Sequence, residues 1–357
     1  MRSRQHADEG SITAVALVLL IISTGLTLSA ASMAWTQRRQ LASFRDSTKK
    51  SAEMIKIADS VQEFLEELDP SEPDWSGSAV FTDIALLESE ESCTVTLEDI
   101  SSRFSINSMN TKMISETEVR SFLLPGMGAD AFQQDREDDG FAVDILARFG
   151  NVFKEEFLAN YATSRGYWNI NTADEFSLKK VFAEITGNEA AAEEFHHKLR
   201  ERRRTVTLVK PEELEEFVGV HWFDRVFPCI NAFPSVNIHF TPDWVLKQII
   251  SYPAFRVTAP EAVAREISSL RGSRAILQEE LPDMIPVQEK DEGGNIILPK
   301  EQNRLFAYMG TVTWFWQISV EKDASRLIRV VARIPDKRGP EGELHREYRT
   351  VYEVLPW

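Results

Sequence analysis

From Ser11 to Gln37 the chain carries no charged residue, and no other feature limits its folding options as strongly. At 1.5 Å per helical residue the run is long enough to cross a hydrocarbon core of about 30 Å. A secretory signal normally has an apolar core of only about 7–15 residues, followed by a small-residue cleavage site. Ala30-Ala31-Ser32 could serve as such an exit, so cleavage there stays open, but the run is much longer than a signal needs. A permanent anchor is the better reading. Arg2 and Arg4 precede the run, while Arg38, Arg39 and Arg45 follow it, and a positive-inside count would place the C-terminal body in the cytoplasm.

The helical rhythm continues past Arg39. Leu41, Phe44, Ile55, Ala58, Phe64 and Leu65 recur at helical spacing, with Lys49, Lys50, Glu53, Lys56 and Glu63 on other faces. No Pro or Gly falls between Leu26 and Asp69, and Pro70 and Pro73 then stop the pattern. An apolar half and an amphipathic half therefore form one helix, and a simple anchor has no need of the second half.

With 357 residues there is room for two domains, or for one carrying a large insertion. The formal net charge of −16 argues against wrapping a polyanion such as DNA. Cys93 and Cys229 are the only cysteines. In an oxidising compartment the pair can close one bridge; in a reducing one they are small apolar side chains.

The middle of the chain contains a repeat. NINTADEFSLKKVF (Asn169–Phe182) aligns without gaps to NIHFTPDWVLKQII (Asn237–Ile250), and basic segments follow both: HHKLRERRR (His196–Arg204) and ISSLRGSR (Ile267–Arg274). Asn or Thr is expected to cap a helix in each copy, with acidic residues in its first turn and apolar residues at helical spacing. The first copy resembles helix-hairpin-helix units, and TLVKPEELEEFVGV (Thr207–Val220) completes it, with Pro211 opening a short helix and Gly219 ending it. Such units often bind nucleic-acid backbones through glycine-rich hairpins. Here Gly187 is followed by Asn188 and Glu189, so a packing or protein-interaction role is expected instead.

No nucleophile elbow, phosphate loop or HExxH motif is present. His196 and His197 are neighbours on a polar helix and cannot share a face, so they read as solvated. The run QQDREDDG offers Asp135, Glu137, Asp138 and Asp139 as calcium ligands in a loop, but it lacks the EF-hand spacing, and a solvated loop is the alternative. Arg200, Arg202, Arg203 and Arg204 close a helix, where cations suit the dipole. CTVTLEDISSRFSINSMN (Cys93–Asn110) opens as a strand, and GTVTWFWQISV with SRLIRVVARI (Gly310–Val320, Ser325–Ile334) reads as a hairpin turning at EKDA. In that hairpin Trp314 and Trp316 are expected on one face and Phe315 on the other. Pro282–Gln302 reads as a loop.

Together these parts resemble the K-type minor pseudopilins of type II secretion, the general secretion pathway protein K family. Met1–Gly10 resembles a class III leader. By that resemblance a prepilin peptidase cuts between Gly10 and Ser11 and methylates the new N-terminus, leaving the apolar helix in place. Most pilins and pseudopilins carry Glu at the fifth mature position, where this chain has Val15. A Glu buried in a filament core needs a neighbouring subunit's amine as partner, and a tip subunit has no neighbour above it. The family's "NxN"-like segments are matched by the end of Cys93–Asn110 and by Asn237, although His239, Phe240 and Pro242 depart from the pattern.

The resemblance implies an α+β fold. A pilin-like head with a long N-terminal transmembrane helix and a small antiparallel sheet is interrupted by an inserted all-α domain of helix-hairpin-helix or SAM-like units. The expected divisions are 1–10 leader, 11–68 long helix, 75–115 first part of the head, 116–281 insert, 282–303 linker and 304–357 closing strands. It implies a structural role at the pseudopilus tip, no catalysis, and a single inner-membrane span with a cytoplasmic N-terminus and periplasmic body. Implied partners are I- and J-type minor pseudopilins, the major pseudopilin, the prepilin peptidase and the inner-membrane assembly platform, with no nucleic acid. Some pseudopilins bind calcium, which makes that ion the one candidate cofactor. Two other readings stand beside it: a minor pilin of a type IV pilus or DNA-uptake machine, and a membrane-anchored extracytoplasmic enzyme.

Overall fold

The computed structural model describes residues 3–69, 72–139, 144–205, 207–289, 299–334 and 346–354; the side chains of 3–23, 25–26, 135, 137–139 and 301 are not described. The chain is α+β. Its contacts define one unit ending at Lys56 and a second running from Ile57 to Val354.

Helix α1 spans Ser3–Glu67, ending just before Pro70 as the absence of Pro and Gly dictates. Within the first unit, Leu28, Met33, Trp35, Leu41 and Phe44 are all more than half exposed. Among the described residues no helix is long and apolar enough to cross a membrane. Most of the run on which the expected span rests falls outside the described side chains.

In the second unit, Ile57, Ala58, Val61 and Leu65 are buried at helical spacing along the last turns of α1. Helix α2 (Ala79–Glu91) follows, closed by Ser92 in the left-handed conformation, and leads into strand β1 (Thr94–Asp99). Residues Ile100–Arg103 then pass the chain into three consecutive modules.

Each module opens with a two-residue strand, runs through four described helices, and closes with a second two-residue strand parallel to the first. The first module comprises β2 (Phe104–Ser105), α3 (Thr111–Glu116), α4 (Ala129–Asp139), α5 (Ile145–Phe149), α6 (Glu155–Asn160) and β3 (Ala162–Thr163). The second comprises β4 (Trp168–Asn169), α7 (Glu175–Thr186), α8 (Glu189–Arg204), α9 (Leu214–Val218), α10 (Val220–Val226) and β5 (Ile230–Asn231). The third comprises β6 (Val236–Asn237), α11 (Asp243–Ile250), α12 (Pro260–Leu270), α13 (Leu281–Met284), α14 (Arg304–Tyr308) and β7 (Met309–Gly310). Parallel pairing forces a long crossover, and the helices supply it. Four residues join one module to the next, first Ser164–Tyr167 and then Ala232–Ser235.

The second module has its own core, in which Phe182 and Phe195 stack at 4.5 Å between α7 and α8. The first and third share a core, where Trp244 of α11 meets Phe122 at 5.1 Å and Tyr161 at 4.6 Å. By strand pairing the insert runs from Phe104 to Gly310, wider than the 116–281 read from the sequence. Part of the expected 282–303 linker is packed, since Gln288 N–H donates to Arg256 O at 2.9 Å and Thr258 N–H to Pro286 O at 2.8 Å.

After Thr311–Trp314 the chain returns to the sheet as β8 (Phe315–Lys322), β9 (Ser325–Arg333) and β10 (Tyr348–Val354). The sheet order is β1-β8-β9-β10, all antiparallel. The turn is the two residues Asp323 and Ala324, with φ of 50° and 63°, a left-handed pair that keeps the hairpin's twist.

Trp316, Ile318 and Val320 share one face with Leu327, Arg329 and Val331. The last turns of α1 lie against β9 and β10: Arg329 pairs with Asp59 at 2.5 Å, and Gln62 donates to Tyr348 O at 3.1 Å. The expected shared face of Trp314 and Trp316 is corrected. Trp314 precedes the strand and clusters with Phe315, whereas Trp316 meets Phe81 at 6.5 Å and Phe240 at 5.1 Å on the opposite face.

Candidate functional site

The insert leaves and rejoins the sheet at one buried polar node. Asp99 ends β1, and its Oδ1 accepts from Ser101 N–H at 2.8 Å, Ser101 Oγ at 2.8 Å and Ser102 N–H at 3.0 Å. Its Oδ2 accepts from the Ser102 hydroxyl and, at 2.7 Å, from Thr313 Oγ1 in the returning link. Ser102 Oγ in turn accepts from Asn237 N–H at 2.9 Å, and Asn237 Nδ2 donates to Thr313 Oγ1 and Asp74 O, both at 2.9 Å. Asp74 receives Thr313 N–H at 2.7 Å and pairs with Arg346; both side chains are almost wholly buried.

One node thus joins the loop after α1, the outgoing and returning links, the opening of the third module and the segment before β10. Burial pushes the Asp99 carboxyl up to about 6, against the hydroxyl and amide donors that favour its charged form.

A second pattern recurs in each module. An arginine on or just past the module's second helix donates to two carbonyls in the turn that opens its first helix. Arg203 of α8 donates to Ile170 O at 2.9 Å and Ala173 O at 2.6 Å. Arg271, just past α12, donates to Ile238 O and Thr241 O, both at 2.5 Å. Arg136 of α4 donates to Asn107 O and Met109 O, both at 3.1 Å. In each case the guanidinium satisfies carbonyls that the turn leaves without a ladder partner.

Asn171 extends the pattern, bonding both backbone groups of Val209 at 2.8 and 2.9 Å. His239 stands at the matching place and accepts from Ile276 N–H at 3.2 Å, so its departure from the Asn pattern keeps the same task. Burial lowers its pKa, which favours the neutral ring that such acceptance needs.

The sequence readings fare unevenly at these sites. Asp174, rather than an Asn or Thr, caps α7, and Pro242 precedes α11 without a side-chain cap; Asn169 and Asn237 hold carbonyls of other segments. Arg202 and Arg203 are tied down inside the second module, so the basic cluster is mainly a clamp. His196 lies 3.8 Å from Glu175, and His197 lies 3.8 Å from Glu201.

The loop proposed for calcium is corrected to a helix, because residues 135 and 137–139 belong to α4. The side chains of Asp135, Glu137, Asp138 and Asp139 lie outside the described residues, as do those of Gly10, Ser11 and Val15 within α1. Cys93 and Cys229 are both free thiols, and burial raises the pKa of each. Among the described residues no group of three or more His, Cys, Asp or Glu side chains converges as metal ligands would.

Sequence reasoning missed the first module. In Phe104–Asn110 only Ile106-Asn107 repeats Ile170-Asn171 identically, yet Ile106, Ile170 and Ile238 are all fully buried and donate to Thr163 O, Asn231 O and Gly310 O. A search for "I" one residue past each short strand, at intervals near those of the known pair, is the signal that could have found it.

The chain matches no family model, no curated protein and no solved structure.

Proposed function

We propose that this chain is a K-type minor pseudopilin, an inner-membrane-anchored subunit at the tip of a type II secretion pseudopilus. One observation carries the reading: β1 and β8 are adjacent antiparallel strands, yet a helical insert of three modules lies between them in sequence. Such an arrangement is a small head with a bulky addition, and it follows a long N-terminal helix. The exposed Leu28, Met33, Trp35, Leu41 and Phe44 offer that helix apolar surface for packing with others.

In this reading the leader is removed between Gly10 and Ser11, the apolar half of α1 holds the subunit in the membrane before assembly, and Val15 suits the one position without a neighbour above. The head is pilin-like, and the insert, with helix-hairpin-helix-like units, caps the fibre on the periplasmic side. The chain does no chemistry itself. Its partners are the I- and J-type minor pseudopilins, the major pseudopilin and the assembly platform. The −16 charge favours protein contacts over nucleic acid.

Co-expression with the I- and J-type minor pseudopilins of the same genome tests this. A stable ternary complex that needs residues 11–37 is expected. Assembly with type IV minor pilins, and none with the I and J types, would replace the reading with that of a pilus subunit.

A further inference from the structure

We infer that the three modules enclose a binding site for a small oxyanion. A cavity of about 260 Å³ opens where they meet, with Asn110 and Met113 from the first module, Thr172 and Arg203 from the second, and Tyr252, Phe255, Arg256 and Arg304 among its walls from the third. This lies just under the range of about 300–1,000 Å³ usual for ligand pockets, so the occupant is small.

Three arginines, Arg203, Arg256 and Arg304, line this space in a chain whose net charge is −16. Arg203 spends its donors on Ile170 O and Ala173 O, and its Nε has no partner although it is buried. Arg304 is half-buried and makes no hydrogen bond or ion pair with any described residue. The carboxylate whose charge acts on it is Glu175, which lies 3.8 Å from each of His196, Arg200 and Arg203 and is already shared among them.

Two desolvated like charges beside an unfilled space are unfavourable unless an anion joins them. Planar guanidinium forks match a carboxylate or phosphate. The Tyr308 side chain adds a hydroxyl donor that no described residue engages, and Phe255 and Met113 supply apolar walls for a carbon body. The site draws a wall from each module, so filling it would hold the three together. This inference does not depend on the pseudopilin reading.

Isothermal titration of the full chain in detergent, at constant ionic strength, tests it with benzoate, succinate and inorganic phosphate as probes. Saturable binding of at least one probe is expected. Binding by a carboxylate alone assigns the site to organic acids, and binding by phosphate alone assigns it to phosphate.

Arg304→Gln is expected to weaken that binding by about tenfold or more, while the thermal midpoint of the ligand-free protein holds or rises because repulsion with Arg203 is relieved. Should that variant fail to fold, Tyr308→Phe, which removes one hydroxyl, is expected to weaken binding a few-fold. Arg274→Gln, on an exposed arginine paired with Glu280, leaves binding unchanged. No probe saturating below about 10 mM, or equal binding in Arg304→Gln, overturns the inference.

Discussion

The sheet and the insert are held together by different means. In the sheet, β8 and β9 pair over eight register positions from Phe315↔Ala332 to Lys322↔Ser325, and the backbone ladder itself fixes the geometry. In the insert, each parallel pair is only two residues long, and side-chain donors do what the ladder does elsewhere. Arg136, Arg203 and Arg271 hold the opening turns, and Asn169 and Asn237 reach across to carbonyls such as Ala307 O and Asp74 O. A ladder tolerates loss of one side chain because its bonds remain. A clamp does not, since removing Arg203 or Arg271 strands two carbonyls at once, although Asn107 O in the first module keeps the Ser177 hydroxyl.

The largest effect is expected where the two regions join. Asp74→Ala leaves Arg346 buried with only the Asp69 and Glu72 carbonyls and no charged partner, and removes the acceptor of Thr313 N–H, so a loss of about 3–5 kcal/mol is expected. Urea unfolding should show it, with amide exchange rising in the third module and the sheet together. Loss confined to one region would mean that the node does not couple them.

Asp99 gives the same node a pH signature. Its carboxyl titrates near 6 in the folded chain against an ordinary 3.8. The folded state therefore binds the proton more tightly, and this group's contribution favours folding at low pH and fades as pH rises from about 4 through 6. The contribution is at most about 3 kcal/mol. Asp99→Asn should flatten that component of the stability profile between pH 4 and 7. An unchanged profile would show that the donors around Asp99 outweigh its burial.

Arg271→Met sharpens the contrast between clamp and ladder. It should cost about 2 kcal/mol by stranding Ile238 O and Thr241 O, with local exchange rising around the opening of α11. An exposed ladder side chain such as Arg326→Met in β9 should cost under about 0.5 kcal/mol. Equal costs would remove the distinction.

The smallest effect is a gain. Ala324 sits at φ 63° in the hairpin turn, where a Cβ is disfavoured. Ala324→Gly should stabilise by about 0.5–1 kcal/mol in thermal unfolding, and a loss would argue against the left-handed turn.

These differences also decide what could be read from the chain. The alternation of QISV against RLIRVV and the breaker-free stretch to Asp69 are local signals, so the β8–β9 hairpin and α1 were both legible. The pairing of Phe104 with Ala162 is not local, since two residues carry no period and their partner lies beyond four helices. Two copies of the repeat were legible because they share Asn-Ile and Leu-Lys at matching positions. The first copy shares only Ile106-Asn107 identically with the second, together with an arginine from a differently spaced helix.

The acidic run at Asp135–Asp139 reads as a loop by composition, yet it continues α4, where Phe132 and Arg136 face inward on successive turns. Trp314 and Trp316 were misplaced because the strand begins one residue later than their alternation suggested. The cavity had only a partial sequence signal: Arg203 lies in the basic run, but Arg256 and Arg304 join it from a different module.

The most direct test of the functional account is the N-terminus itself. Intact mass and N-terminal peptides would be compared for the full chain expressed with and without a prepilin peptidase. A peptidase-dependent new terminus at Ser11, carrying a methyl group, is predicted. An intact Met1 under both conditions, or a cut near Ala31, would contradict the pseudopilin reading and return α1 to an ordinary anchor or export signal.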